Sequence, residues 1–171
     1  IPNQKVYQAQ DSDLFEQTSA WTGTSAWQSD TMQGTRDLEG AQAVNLQAQT
    51  LLHYFLPYNT PELGAAEYRK LDDTEVEGRP HHVVGVLVGT FELEILVDAE
   101  TKMVTRVRFE IDNPQGGTVE ATADSLAYEA FDGVMMPTRT TLDIPGIATI
   151  DTRYTTTELN VEVDHSIFEK P

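Results

Sequence analysis

The sequence predicts an α+β fold that is mainly β, an antiparallel meander following one amphipathic helix. Three observations predict it. From about residue 68 the apolar residues recur with a period of two, the signature of strands with one buried face. Short turn signals at regular intervals separate these runs, and each is brief enough for a hairpin, so neighbouring strands run antiparallel. Before them, Val44, Ala48, Leu51, Leu52 and Phe55 recur at spacings of three and four and form one apolar stripe.

Residues 1–36 are polar and rich in Gln, Ser, Thr and Asp. Lys5–Tyr7 and the segment from Leu14 read as short strands, and Trp21–Thr24 with Trp27–Asp30 as strand ends joined by a turn. Residues 38–56 read as the helix, which Pro57 stops because it lacks an amide hydrogen and its ring opposes another turn.

Tyr68–Glu77 reads as a polar strand and Gly78–Pro80 as a turn. His82–Gly89 is an apolar run rich in β-branched residues. Phe91, Leu93, Ile95 and Val97 share one face of the next strand, with Glu92 and Glu94 opposite. Asp98–Lys102 makes a hairpin loop. Thr105, Val107, Phe109 and Ile111 then share a face, with Arg106, Arg108 and Glu110 on the other. Asn113–Gly117 turns the chain, Thr118–Ala130 returns, and Asp132-Gly133 is a two-residue hairpin signal. Met135–Ile144 goes out, Pro145-Gly146 supplies a type II turn, and Ile147 to about Val163 comes back. That makes roughly six strands, with the helix as the amphipathic cover for their apolar face. No repeat, linker or low-complexity tract divides residues 1–171, so a single domain is expected.

Composition excludes several functions. There are 28 Asp and Glu against 11 Lys and Arg, a formal charge of -17. Such a surface repels phosphate backbones and anionic membranes, so neither nucleic acid nor an anionic bilayer is an expected partner. The acids are scattered rather than blocked, which reads as a solubility surface more readily than as a site for a basic partner. The absence of cysteine removes disulfides, thiolate metal sites and cysteine nucleophiles. No apolar run approaches the ~20 residues of a transmembrane helix. The first residues show no basic segment followed by an apolar one.

No catalytic constellation emerges. His81 and His82 are adjacent on a strand and point to opposite faces, so they do not readily chelate one ion, and they read as solvated histidines near a turn. The acidic clusters around Asp11, Asp72 and Glu75 lack the alternating ligands, glycine and closing glutamate of a calcium loop. Among 28 acids the sequence selects no glycosidase pair. Nucleophile-elbow, phosphate-loop and zinc-protease motifs are absent. No catalytic residue, metal or cofactor is therefore expected. On composition alone, the helix stripe and the apolar sheet face read as a packed core.

The order Trp27, Gly34 and Leu38-Glu39-Gly40 before a helix, then Val76–Arg79 and Leu96–Thr101 each with a strand, resembles the periplasmic outer-membrane lipoprotein-sorting (lipoprotein carrier) superfamily. So do Tyr128, Phe131–Val134 and Pro137, followed by Asn160–Asp164, Phe168 and Pro171. The resemblance runs from about residue 20 onward. It implies an incomplete antiparallel half-barrel packed over one or two helices, with an apolar cavity for acyl chains. It further implies an extracytoplasmic, non-enzymatic binder of a lipid, acyl chain or lipoprotein. The ligand-binding residues expected on that basis are Val44, Leu51, Leu52 and Phe55 on the helix, and Phe91, Leu93, Ile95, Val107, Phe109 and Met136 on strands, with Trp27 at the rim. The family carries more chain before the segment resembling Ile1–Lys5. The chain is thus expected to be either the later part of a larger domain or a minimal version, with a sheet edge open to the missing segment or to a protein partner. The alternative is a periplasmic sensor or protein-interaction domain with a filled core and an acidic binding surface.

Overall fold

A computed structural model of the chain describes residues 5–11, 16–40, 42, 43, 46, 66–88, 90–112, 116–159 and 161–171. It is mainly β and antiparallel throughout its assigned pairings. The chain divides into two compact units, residues 1–66, 88–91 and 162–171 in the first and residues 67–87 and 92–161 in the second.

The first unit holds a four-stranded antiparallel meander in the order β1-β2-β3-β4: β1 (Val6–Asp11), β2 (Glu16–Trp21), β3 (Ala26–Asp30) and β4 (Gly34–Leu38). The strands read at Lys5–Tyr7, from Leu14 and at Trp27–Asp30 overlap β1, β2 and β3, but their pairing was not disclosed, because polar residues occupy both faces of the sheet and hydrophobic alternation never develops. Its turns are nonetheless chemically specified. The Asp30 carboxylate accepts from the Met32 and Gln33 amides at 2.9 and 2.6 Å and from Arg36 at 2.8 Å. Gly34 then adopts φ 71°, which a side chain would strain.

Cross-strand register gives each face its own character. Tyr7, Ala20, Trp27 and Asp37 lie in one row. Ala20 and Trp27 are buried. The end of the chain packs on this row. The Trp27 indole N–H donates to the Phe168 carbonyl at 2.9 Å, Lys170 pairs with Asp37 at 2.9 Å, and the Lys5 ammonium sits 5.3 Å from the Phe168 ring centroid. A short 3-10 turn, His165–Phe168, presents these groups. It is capped by the Asp164 carboxylate, which accepts from the Ser166 amide. Trp27, expected from sequence at a cavity rim, is a buried anchor within the first unit.

The second unit contains an eight-stranded sheet: β5 (Ala66–Lys70), β6 (Thr74–Val76), β7 (Arg79–Val88), β8 (Phe91–Asp98), β9 (Val104–Asp112), β10 (Thr118–Phe131), β11 (Val134–Ile144) and β12 (Ala148–Arg153). The order is β12-β11-β10-β9-β8-β7-β5, with β6 also paired to β7. Neither this sheet nor the first closes on itself. The six-strand meander read from the sequence is therefore β7–β12.

Local corrections have physical causes. The polar strand at 68–77 is two strands, because residues 71–73 leave the ladder between them. The turn read at Gly78–Pro80 is Glu77-Gly78, both at positive φ (52° and 76°), so Arg79 and Pro80 already belong to β7. Asp132-Gly133 is the expected two-residue turn, at φ 48° and 81°. The last strand ends at Arg153 rather than near Val163. Leu38 lies in β4, and Gly40, Gln42, Ala43 and Leu46 are helical; most of the helix expected at 38–56 lies outside the described residues.

The β8–β9 loop is organised by Asp98, whose side chain is 2% exposed. Its carboxylate accepts from the Thr101 and Glu100 amides at 2.8 and 2.9 Å and pairs with Arg79 at 3.2 Å. The Thr101 amide, then the Glu100 amide and the Arg79 charge, hold its pKa below the ordinary carboxylate value, while burial opposes them. A depressed folded-state pKa means that the stabilisation is complete above the unfolded value of about 4 and is lost as pH falls through the folded one.

Two outcomes follow. Asp98→Asn is expected to melt at lower temperature than wild type at pH 7, with the gap shrinking below about pH 4; a gap independent of pH contradicts the assignment. In urea denaturation, Trp27→Ala is expected to lose about 3–5 kcal/mol. Trp27→Phe, which keeps the ring but not the N–H donor, is expected to lose about 1–2 kcal/mol.

Candidate functional site: the apolar face of the large sheet

Directly opposed residues on antiparallel strands project to the same side of a sheet. In the second unit this assembles two apolar rows. Leu93 opposes Phe109, which opposes Ala121. Ile95 opposes Val107, Val107 opposes Ala123, Ala123 opposes Leu142, and Leu142 opposes Ile150, so that row crosses five strands. Ile111 and Val119 begin a third row beside Phe109 and Ala121.

Burial grades along these rows. Leu93, Ile95 and Ala121 are almost wholly buried, Val107, Phe109, Ala123 and Leu142 are half-buried, and Ile150 is 49% exposed. The two alanines place the smallest side chains of the face in the middle of the sheet, flanked by Phe109, Val107 and Leu142.

The opposite face is charged and internally neutralised. Glu94 pairs with Arg108 at 2.7 Å, Arg106 holds Asp124 through two bonds of 2.6 and 2.9 Å, and Arg139 pairs with Asp151 at 2.5 Å. Arg69 pairs with Glu92 on the same side. There Gly85 leaves room for the Arg69 side chain: a Cβ at residue 85 would come within 3.0 Å of Arg69 Cγ. These partly exposed pairs are worth roughly 0.2–1 kcal/mol each. Leu96, opposite Arg106 on the same face, is nonetheless buried.

The expected site residues separate as follows. Phe91, Leu93, Ile95, Val107 and Phe109 share the apolar face, by register and by alternation along β8. Met136 opposes Glu129 beyond two register shifts of the β10–β11 ladder, so alternation from Leu142 does not carry it to that face. Trp27 belongs to the first unit. Val44, Leu51, Leu52 and Phe55 lie outside the described residues. Sequence reasoning missed Ala121, Ala123, Leu142 and Ile150. The signal was available for two of them: counting back from the Asp132-Gly133 turn pairs Ala123 with Leu142.

The two adjacent histidines have separate partners. His81 is buried, with Nδ1 2.8 Å from the Arg79 carbonyl and Nε2 2.7 Å from Thr105 Oγ1. His82 lies 3.1 Å from Asp73. Among the described residues no three His, Cys, Asp or Glu side chains gather to hold a metal ion, and no helix is long and apolar enough to cross a membrane.

No protein-family model matches the chain, and no curated protein matches it. Solved structures do. A LolA superfamily protein from Nitrosomonas europaea is 12% identical, with a TM-score of 0.58 over 91% of this chain and 70% of its own. A DUF1329 family protein from Desulfovibrio piger is also 12% identical, with a TM-score of 0.54 over 96% of this chain and 80% of its own. A domain from Vibrio parahaemolyticus described as outer-membrane lipoprotein-sorting is 9% identical over 90% of this chain and 78% of its own, at a TM-score of 0.46, too low to weigh. At these identities the likeness is one of fold, and the fold is the one the sequence resemblance implied.

Proposed function

We propose that the chain is a non-enzymatic, extracytoplasmic binding domain for a lipid, acyl chain or lipoprotein, and that the apolar face of the large sheet is the wall against which the ligand lies. The observation that carries this reading is the row Ile95, Val107, Ala123, Leu142 and Ile150, which runs from a buried end to an exposed one. Similarity of fold to a LolA superfamily protein supports it. Phe91, Leu93, Ile95, Val107 and Phe109 are the wall residues, with Ala121 and Ala123 between them. The two units act as one domain in this proposal. The chain passes from one unit to the other and back, with residues 88–91 and 162–171 returning to the first.

Apolar contact alone suffices for useful affinity. An acyl chain that buries about 300 Å² of apolar surface gains about 7 kcal/mol at roughly 25 cal/mol per Å², less the cost of immobilising it. No charged group is required on the wall, which accords with the confinement of the ion pairs to the other face.

The test is palmitate binding by the purified protein, read by native mass spectrometry and by titration. Wild type is expected to bind; Phe109→Asp and Ile150→Asp are expected to lose at least about tenfold in affinity, which corresponds to about 1.4 kcal/mol. Ile150 is half exposed, so its variant keeps the circular dichroism of the folded protein even if the Phe109 variant unfolds. A folded Ile150→Asp protein with undiminished binding contradicts the proposal. So does a wild type that takes up no lipid and instead captures a basic protein through its acidic surface.

A further inference from the structure

We infer that the four-stranded sheet carries a second binding site, specific for a neutral saccharide, on the face opposite Trp27. Register places Gln8, Ser19, Gln28 and Arg36 in one row across β1–β4, and Gln10 beside Gln17 in the next. Gln42 and Leu46, from the helical residues after β4, complete a concavity of about 290 Å³ with this face, to which Leu38 adds an apolar wall. That volume is near the lower end of the roughly 300–1,000 Å³ found for small-ligand pockets.

The hydrogen-bond inventory is what marks it as a site. Gln28 Oε1 accepts from Arg36 at 3.0 Å. The side chains of Gln8, Gln10, Gln17, Ser19 and Gln42 make no hydrogen bond to a described residue. Ser19 is only 6% exposed. Its hydroxyl oxygen is not fully enclosed, so water or a ligand can satisfy it. Several amides and one hydroxyl therefore converge on one space with their capacity unspent.

Their chemistry selects the ligand. Each glutamine amide offers two donor hydrogens and an acceptor oxygen, and the serine hydroxyl both donates and accepts. This matches sugar hydroxyls, which also do both. Among the described residues no charged side chain lines the space. Arg36, the nearest cation on that face, is already paired with Asp30 at 2.8 Å, so neither phosphate nor carboxylate gains a counter-ion. An ammonium ligand finds no free carboxylate. The lining is too polar for an acyl chain, so this site is independent of the wall proposed in the second unit.

The experiment is a titration of the ¹⁵N-labelled chain with glucose, galactose, N-acetylglucosamine and maltose, following the glutamine side-chain amide resonances. At least one sugar is expected to shift the Gln8, Gln17 and Gln28 amides saturably. Gln17→Met, which keeps the shape but not the amide, is expected to weaken that sugar about tenfold, the effect of losing roughly one good hydrogen bond. Palmitate binding is expected to stay unchanged in the variant. Ser19→Ala serves as a second variant with the same expectation if Gln17→Met does not fold. Absence of any saturable shift with all four sugars means that the space holds only water and overturns the inference. An unaltered sugar affinity in a folded variant overturns it as well.

Discussion

Cross-strand register is the constraint on which the rest depends. Side chains alternate along a strand, so a slip of one residue between β9 and β10 exchanges the entire apolar set for the charged one. In the observed register, Phe109 meets Leu93 and Ala121, while Arg106 meets Asp124. The hairpin turns set it, and the two faces hold it. A slipped strand strands carboxylates and guanidinium groups on the apolar side, at a desolvation cost that no surface ion pair offsets.

The same device gives two different surfaces in the two units. In the large sheet, register gathers aliphatic and aromatic groups on one side and closes the charges into pairs on the other. In the small sheet it gathers amides and a hydroxyl on one side, and on the other the Trp27 row, anchored by Phe168 and Lys170. One face is thereby suited to contact without direction and the other to contact with direction. The strongly negative net charge bears on neither, since the charged groups nearest each face are already paired.

Legibility in the sequence followed physical contrast. Strands β7–β12 were readable because valine, isoleucine, leucine and phenylalanine alternate there with Glu and Arg, and because Asp132-Gly133 and Pro145-Gly146 admit few backbone conformations. Of the small sheet only fragments were readable, the strands at Lys5–Tyr7, from Leu14 and at Trp27–Asp30; their pairing and β4 were not. The interruption of the edge strand at residues 71–73 left no sequence mark, since an edge strand needs no apolar face. Alanines 121 and 123 escaped notice because a methyl group adds little to a hydrophobic pattern. The anchoring of Trp27 was not legible, because its partner, the Phe168 carbonyl, lies 141 positions away and is a backbone atom. No side-chain pattern encodes such a contact.

The central claim is that an apolar ligand lies against the row from Ile95 to Ile150. The direct measurement is the nuclear Overhauser effect between palmitate methylene protons and selectively labelled methyl groups of the bound protein. The account predicts cross-peaks to Val107, Leu142 and Ile150, with intensity falling toward buried Ile95. Cross-peaks confined to methyl groups outside this row, or none in a protein shown to hold the ligand, would contradict it.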